Sequence, residues 1–130
     1  MTTIQELTEL AHKNSISKGF WDQEFNMGQS LMLIVSEVSE ALEADRKDQF
    51  ANMKLFNKMM EGWDEGHYAY DNAFKMAFVA HIKNTVEDEL SDAVIRIMDL
   101  AAYKGIDLER HIKLKMKYNS MREYKHGKKY

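Results

Sequence analysis

Hydrophobic residues recur every three or four positions along the chain, which is the spacing of amphipathic helices and not the alternation of strands. Thr3 and Glu6 form a capping box, and the pattern after them predicts a first helix to about Lys13. The longest helix is predicted from about Glu24 to Lys47. Further predicted elements are two helices within residues 48–83, a helix capped by Thr85 and stopped by Gly105, and a last helix that is capped by Asp107 and fades around Arg122 to Tyr124.

Length and composition agree with this pattern. The chain has 130 residues, the size of one domain, and it contains no proline to interrupt a helix. It also contains no cysteine, which excludes disulfides, thiolate-bound zinc, iron–sulfur clusters and a cysteine nucleophile. Any bound metal would therefore have oxygen or imidazole ligands. We predict a single all-α domain over residues 1–130, built as a helical bundle.

Nothing in the sequence indicates a membrane segment or an export signal. Even the longest uninterrupted apolar runs, such as Leu31 to Val35, are far shorter than the roughly 18 residues of a membrane span. Residues Met1 to Lys13 carry Glu6 and Glu9 and lack the basic start and apolar stretch of a signal peptide. We expect a cytoplasmic protein with no membrane partner.

Charge is unevenly distributed around a formal net charge of −3. Residues 111–130 form a basic C-terminal tail with seven Lys or Arg against Glu123 alone, whereas the preceding body of the chain is acidic. A basic tail can bind nucleic acid, but a nucleic-acid-binding domain is usually basic as a whole. The overall balance therefore favours local phosphate binding or subunit docking over nucleic acid.

Two pairs of acidic residues have the spacing that places side chains on one side of a helix. Glu37 and Glu40 form the first pair, and Glu89 and Asp92 form the second. Each pair flanks an apolar stripe, so packing of the two helices would bring four carboxylates to one seam. Such carboxylates repel unless a cation compensates them. All-oxygen ligands favour Mg²⁺ or Mn²⁺, and the lack of a Glu-x-x-His pair argues against a di-iron site.

These patterns also have structural explanations. Acidic pairs are common on solvated helix faces, and Asp92 has Arg96 four residues later as an ordinary ion-pair partner. Lys115, Asn119 and Arg122 form one polar row that would suit a polyphosphate. The same row could equally be the solvated face of a basic tail.

Four segments resemble the MazG-like all-α nucleoside triphosphate pyrophosphohydrolases. That family carries an E-E-x-x-E motif followed by E-x-x-D, and some members end in K-x-x-x-N-x-x-R and H-G-K. The matching segments are Ser36-Glu37-Val38-Ser39-Glu40-Ala41-Leu42, Glu89-Leu90-Ser91-Asp92-Ala93, Lys115-Met116-Lys117-Tyr118-Asn119-Ser120-Met121-Arg122 and His126-Gly127-Lys128. Together they cover about half of the chain, in the order that the family shows.

The resemblance implies hydrolysis of a nucleoside or deoxynucleoside triphosphate to the monophosphate and pyrophosphate. It implies that a helical bundle is completed by dimerisation, since family members are usually homodimers or dimers of dimers. The catalytic glutamate that accepts the proton of water would be Glu37 or Glu40. The implied ligands of Mg²⁺, with Mn²⁺ as a substitute, are Glu37, Glu40, Glu89 and Asp92. The implied contacts to phosphate or sugar are Lys115, Asn119, Arg122 and Lys128.

The chain departs from the family's pattern in two places. Ser36 stands where the motif has its first Glu, which removes a carboxylate that could position water. The stretch between Glu40 and Glu89 is longer than in compact members, so residues 48–83 form an apparent helical insertion. Trp21, in the first connection, could stack on a substrate base or simply pack that connection onto the core.

One competing hypothesis comes from a different class of protein. A non-enzymatic dimeric helical adaptor could use its acidic body and basic tail to dock to a partner. Within the enzyme class, a dUTPase-like specificity is a further alternative, because base identity depends on the shape of the pocket.

Overall fold

A computed structural model describes residues 1–130 and contains no strand, so the prediction of an all-α protein is confirmed. No helix combines the length and the apolar content that a membrane span requires. The elements in chain order are α1 (Ile4–Ser17), α2 (Met27–Arg46), α3 (Met53–Met60), α4 (Tyr70–His81), α5 (Val86–Tyr103), α6 (Leu108–Ser120) and a short 3-10 helix (Tyr124–Gly127).

The chain divides into two compact units. Unit 1 comprises Met1–Asn26 and Ile95–Tyr130, and unit 2 comprises Met27–Val94. One boundary lies just before α2, and the other lies within α5. Unit 1 therefore holds α1, the second half of α5 and α6, while unit 2 holds α2, α3, α4 and the first half of α5.

Side-chain caps begin the helices where the sequence predicts them. The Thr3 hydroxyl accepts from the Glu6 amide at 3.1 Å, and the Glu6 carboxylate accepts from the Thr3 amide at 2.7 Å, which completes the capping box. Thr85 accepts from the amide of Asp88 at 3.3 Å at the start of α5. Asp107 caps α6 through its carboxylate. These bonds satisfy amides that have no partner within the first helical turn.

Two helix boundaries differ from the prediction for identifiable reasons. The first helix continues to Ser17, one turn beyond the predicted end, because the next glycine that interrupts the helical backbone is Gly19, at φ +81°. The second helix begins three residues late. Its preceding residues stay in the connection, where Phe25 packs on Tyr103 with ring centroids 4.5 Å apart.

The two helices predicted within residues 48–83 are present as α3 and α4, which pair in unit 2. Phe56 of α3 meets Phe74 of α4 edge to face, with ring centroids 5.8 Å apart. Asn52 caps α3 with its side chain, and its own amide donates to the carbonyl of His81 at 2.9 Å. This bond ties the two ends of the hairpin together.

Small residues dominate the buried apolar positions. On α2 and the first half of α5, Ala41, Ala44 and Ala93 are buried. The larger members of the predicted stripes behave differently, since Val38 and Leu90 are each about half exposed. In the single chain these larger side chains therefore lie outside the buried core. The buried apolar residues of the whole chain are Ala41, Ala44, Ala77, Ala93, Met98, Leu100 and Ala101.

The capping box gives a direct test of helix stability. Thr3→Ala removes the acceptor for the Glu6 amide, and loss of such a cap costs about 1 kcal/mol. For a chain of this length, the melting temperature should fall by about 4 °C. Differential scanning calorimetry measures the change, and Thr2→Ala, just outside the box, is the matched control. Equal melting temperatures for the two variants would contradict the capping assignment.

Candidate functional site

Three carboxylates come together in unit 2. Glu37 from α2 and Glu89 and Asp92 from α5 each place one oxygen within 4.8 Å of the oxygens of the other two. Glu37 and Glu89 are buried, whereas Asp92 is exposed. The group, called the carboxylate triangle below, therefore has two carboxylates inside the protein and one at the surface.

Glu40 is the fourth acidic residue that the sequence predicts at this seam. It lies outside the carboxylate triangle and is exposed, but its carboxyl group is hydrogen-bonded to that of Glu89. Two carboxyl groups can share a hydrogen bond only when one of them carries a proton. The structure thus places all four predicted acids in one neighbourhood, with distinct positions for the triangle and for Glu40.

The pKa of Glu89 is raised from its ordinary value of 4.5 to about 7. Burial is the largest cause, because a charge is costly away from water. The hydrogen bond that protonated Glu89 donates to the Glu40 carboxylate, and the negative charges of Glu40, Asp88 and Glu37, add to the effect. Below about pH 7 a proton on Glu89 therefore relieves the repulsion, and a divalent cation would displace that proton and take over its role.

The donor set of the triangle fits a hard divalent cation. Its ligands are carboxylate oxygens alone, which Mg²⁺ and Mn²⁺ prefer over zinc or copper. Oxygens on opposite sides of Mg²⁺ are roughly 4.2 Å apart, given metal–oxygen distances of about 2.1 Å. A Mg²⁺ held by all three carboxylates would therefore draw together oxygens that lie up to 4.8 Å apart here.

The start of α5 is fixed by bonds that the metal-binding prediction does not include. The Glu87 carboxylate accepts from the amide of Ala51 at 2.9 Å, and that bond is the main reason that the pKa of Glu87 is lowered. Asp88 accepts from the amide of Asn84 at 2.8 Å. These two acids anchor the first turn of α5. Glu89, which follows directly, is positioned by that anchored turn.

The predicted phosphate-binding row lies in unit 1, on α6 and just after it. The Lys115 ammonium is 5.0 Å from the centroid of the Tyr118 ring, and the Arg122 guanidinium carbon is 5.7 Å from it. Arg122 also donates to the carbonyl of His126 at 3.4 Å. The Asn119 side-chain oxygen is buried and accepts no hydrogen bond. Two cations of the row therefore lie near the same aromatic ring.

Lys128 follows the 3-10 helix and is exposed. The turn before it places Lys125 and His126 at φ values of +52° and +53°, in the left-handed region that non-glycine residues seldom adopt. The amide of Lys128 donates to the carbonyl of Lys125 at 2.9 Å and closes the turn. The basic tail thus ends in a compact turn that also includes the Arg122 contact.

Trp21 packs within unit 1. Its indole N–H donates to the Asp99 carboxylate, at 2.9 Å from Oδ1 and 3.2 Å from Oδ2, and its ring stacks on Tyr103 at 4.1 Å. Asp99 also pairs with Nδ1 of His12 at 2.7 Å. Sequence reasoning did not single out Asp99 or Tyr103. The available signal was a lone carboxylate within a strongly apolar stretch of α5.

The raised pKa of Glu89 predicts a distinctive dependence of stability on pH. Because the folded-state pKa lies above the unfolded value, the native state binds the extra proton, and its contribution to stability is lost as pH rises towards and through 7. The pKa shift acts roughly between pH 5 and pH 8. In chelator-containing buffer, the melting temperature of the wild type should therefore fall more steeply over this pH range than the melting temperature of Glu89→Gln.

The matched control is Glu65→Gln, at an exposed position in the loop between α3 and α4. Its melting temperature should depend on pH in the same way as that of the wild type. Adding Mg²⁺ at pH 8 should restore the melting temperature of the wild type and have little effect on the melting temperature of Glu89→Gln. Parallel pH profiles for all three proteins would rule out the raised pKa.

No family model matches the chain, and no curated protein or solved structure matches it significantly. The likeness to the MazG-like family therefore rests on the motifs of the sequence.

Proposed function

We propose that this protein is a Mg²⁺-dependent nucleoside triphosphate pyrophosphohydrolase of the MazG-like type, which converts its substrate to the monophosphate and pyrophosphate. The observation that carries the proposal is the carboxylate triangle of Glu37, Glu89 and Asp92, with Glu40 hydrogen-bonded to Glu89. These four residues are the same four that the motif resemblance assigns to metal binding. An acidic seam with two buried members is costly unless a cation neutralises it.

In this proposal the triangle holds the cation and Glu40 acts on water. A bound Mg²⁺ would supply charge neutralisation at the phosphate oxygens. Glu40 suits the role of general base because it is exposed and lies outside the triangle. It would accept a proton as the water oxygen bonds to the α-phosphorus, while the bond from that phosphorus to the bridging oxygen breaks and pyrophosphate leaves. Glu40 would then return the proton to solvent.

The motif resemblance also assigns the basic row of unit 1 to substrate binding. Lys115 and Arg122 carry the positive charges that a triphosphate needs, and both lie near the Tyr118 ring. The buried oxygen of Asn119 accepts no hydrogen bond and would suit a hydroxyl donor on the sugar. Lys128 would add a further positive charge. Trp21 would stack on the base.

Assembly into a homodimer or a dimer of dimers is part of the proposal. Large apolar side chains along α2 remain about half exposed, and contiguous apolar surface of this kind is typical of protein interfaces. The side chains concerned are Leu31, Met32, Val35, Val38 and Leu42. A second chain covering them would convert an exposed helix face into the interior of a bundle.

The same exposed face keeps the non-enzymatic adaptor as a second candidate. An adaptor would bury this apolar surface against another protein and would need no metal. The two functions differ in one measurable respect, since only the enzyme releases pyrophosphate and binds a cation at the triangle.

The reaction type can be tested by product analysis. The protein is incubated with Mg²⁺ and a panel of nucleoside and deoxynucleoside triphosphates, dUTP included, and products are separated by ion-exchange chromatography. We expect monophosphate and pyrophosphate in equal amounts. Glu40→Gln and Asp92→Asn should each lower kcat by roughly 100-fold or more, because each removes a charged oxygen from the proposed site.

Glu43→Gln on the exposed surface of α2 is the matched control and should retain wild-type turnover. Orthophosphate with a nucleoside diphosphate as product would exclude this reaction type. Absence of turnover, together with no Mg²⁺-dependent rise in melting temperature, would favour the adaptor.

A further inference from the structure

A groove runs along unit 1 between α1 and α6. Its volume is about 1180 Å³, and all of its lining residues belong to unit 1. We propose that this groove is a docking site for an acidic amphipathic helix of another protein. The groove contains none of the residues that the proposed function assigns to the metal or to the substrate, so the docking site is a separate feature of the molecule.

Hydrogen bonding joins the two walls of the groove at one end. The amide of Gln5, in the first turn of α1, donates to the carboxylate of Glu109, in the first turn of α6, at 3.0 Å. Along α1 the lining extends from Gln5 to Ile16, which is about 16 Å at a rise of 1.5 Å per residue. The groove is therefore about three helical turns long.

Apolar side chains line the groove and are not buried by the chain itself. Ile16 of α1, Ile106 of the turn before α6 and Leu114 of α6 are each about half exposed. Thr8 is buried, and its hydroxyl donates to the carbonyl of Ile4 at 2.7 Å, so it offers no free donor to a ligand. A ligand with an apolar face would bury the exposed area of these residues, which favours binding.

The three acidic side chains that line the groove already accept hydrogen bonds within unit 1. Glu9 accepts from the side-chain amide of Gln5 at 2.7 Å. Asp107 accepts from the backbone amide of Arg110 at 2.9 Å and so caps α6. Glu109 accepts from the backbone amide of Gln5. The negative charges of the groove are therefore satisfied by neighbouring groups of the same unit.

Most of the basic side chains that line the groove have no acidic partner. Lys113 pairs with Glu109. Lys13 of α1 and Arg110 and Lys117 of α6 are exposed and form no ion pair. Both walls thus contribute unpaired positive charge beside the apolar lining. This combination is complementary to a ligand that carries both carboxylates and apolar side chains.

The shape of the groove favours a helix as the ligand. Its walls are two helices, and the side chains of a third helix can pack into the groove between them. Apolar residues three and four positions apart on that third helix would cover Ile16, Ile106 and Leu114. Glutamates beside its apolar face would meet the unpaired cations. Nucleic acid, in contrast, would bring phosphates to the groove but no apolar face.

The docking site and the proposed phosphate-binding row use different faces of α6. Arg110, Leu114 and Lys117 are spaced by four and then three positions, so they share one face. The row that begins at Lys115 follows the same spacing one residue later, and each residue turns the helix by about 100°. Substitutions on the groove face therefore leave the row in place.

A synthetic helix serves as the probe, and its binding is measured by fluorescence anisotropy. The probe is a fluorescein-labelled peptide of about 15 residues, with leucines three and four positions apart on one face and glutamates on both sides of that face. One comparison peptide has lysine in place of every glutamate, and another has serine in place of every leucine. We expect the acidic peptide to bind about tenfold or more tightly than either comparison peptide.

Charge reversal in the groove gives the sharper test. In Lys13→Glu/Arg110→Glu, the affinity for the acidic peptide should fall about tenfold or more, and the affinity for the lysine peptide should rise. The change at Arg110 suits folding, because an acid three residues after the Asp107 cap is favourable at a helix start. The matched control is Lys18→Glu/Lys129→Glu, which changes the net charge equally at exposed positions outside the groove and should bind like the wild type.

Several outcomes would overturn the docking site. Equal affinity for all three peptides would show non-specific adsorption, and equal losses in the two double variants would show attraction to net charge alone. A lysine peptide that gains no affinity for Lys13→Glu/Arg110→Glu, in a variant whose helical circular dichroism matches the wild type, would place the peptide elsewhere. Neither measurement involves pyrophosphate release, so the docking site and the proposed reaction can each fail while the other stands.

Discussion

Electrostatic repulsion among the carboxylates of unit 2 is the constraint on which the proposed site depends. Glu37 and Glu89 are buried on different helices with their oxygens within 4.8 Å, and two unscreened negative charges at that distance repel strongly. The protein meets this constraint through a proton on Glu89, whose pKa rises to about 7. A divalent cation would neutralise the same charges more fully, so the proposed metal binding would also stabilise the unit.

Small side chains accompany the buried acids. Ala41 lies four residues after Glu37, and Ala93 lies four residues after Glu89, so each alanine shares a helix face with its acid. Both alanines are buried, while the larger Val38 remains about half exposed. Small residues at these positions leave room for the carboxylates to converge. In the proposed assembly, the larger apolar residues would form the interface with another chain.

The acids with low exposure in the two units have different neighbours. In unit 1, Asp99 has donors at both sides, from the indole N–H of Trp21 and from His12, and needs no cation to be satisfied. In unit 2, Glu89 has acids as its neighbours and therefore needs a proton or a metal ion. The repulsion around Glu89, which has no counterpart around Asp99, is why the proposed cation site lies in unit 2.

The sequence by itself determined the helices, their caps and the pairing of acids on helix faces, because these depend on residues three or four positions apart. The Thr3–Glu6 box and the Thr85 cap are such local features. Tertiary structure alone decided that Glu37, Glu89 and Asp92 form the triangle while Glu40 bonds to Glu89. It also brought Trp21 to Asp99, 78 positions away. Distances between helices, and the burial that raises a pKa, depend on how the whole chain packs, which no local pattern specifies.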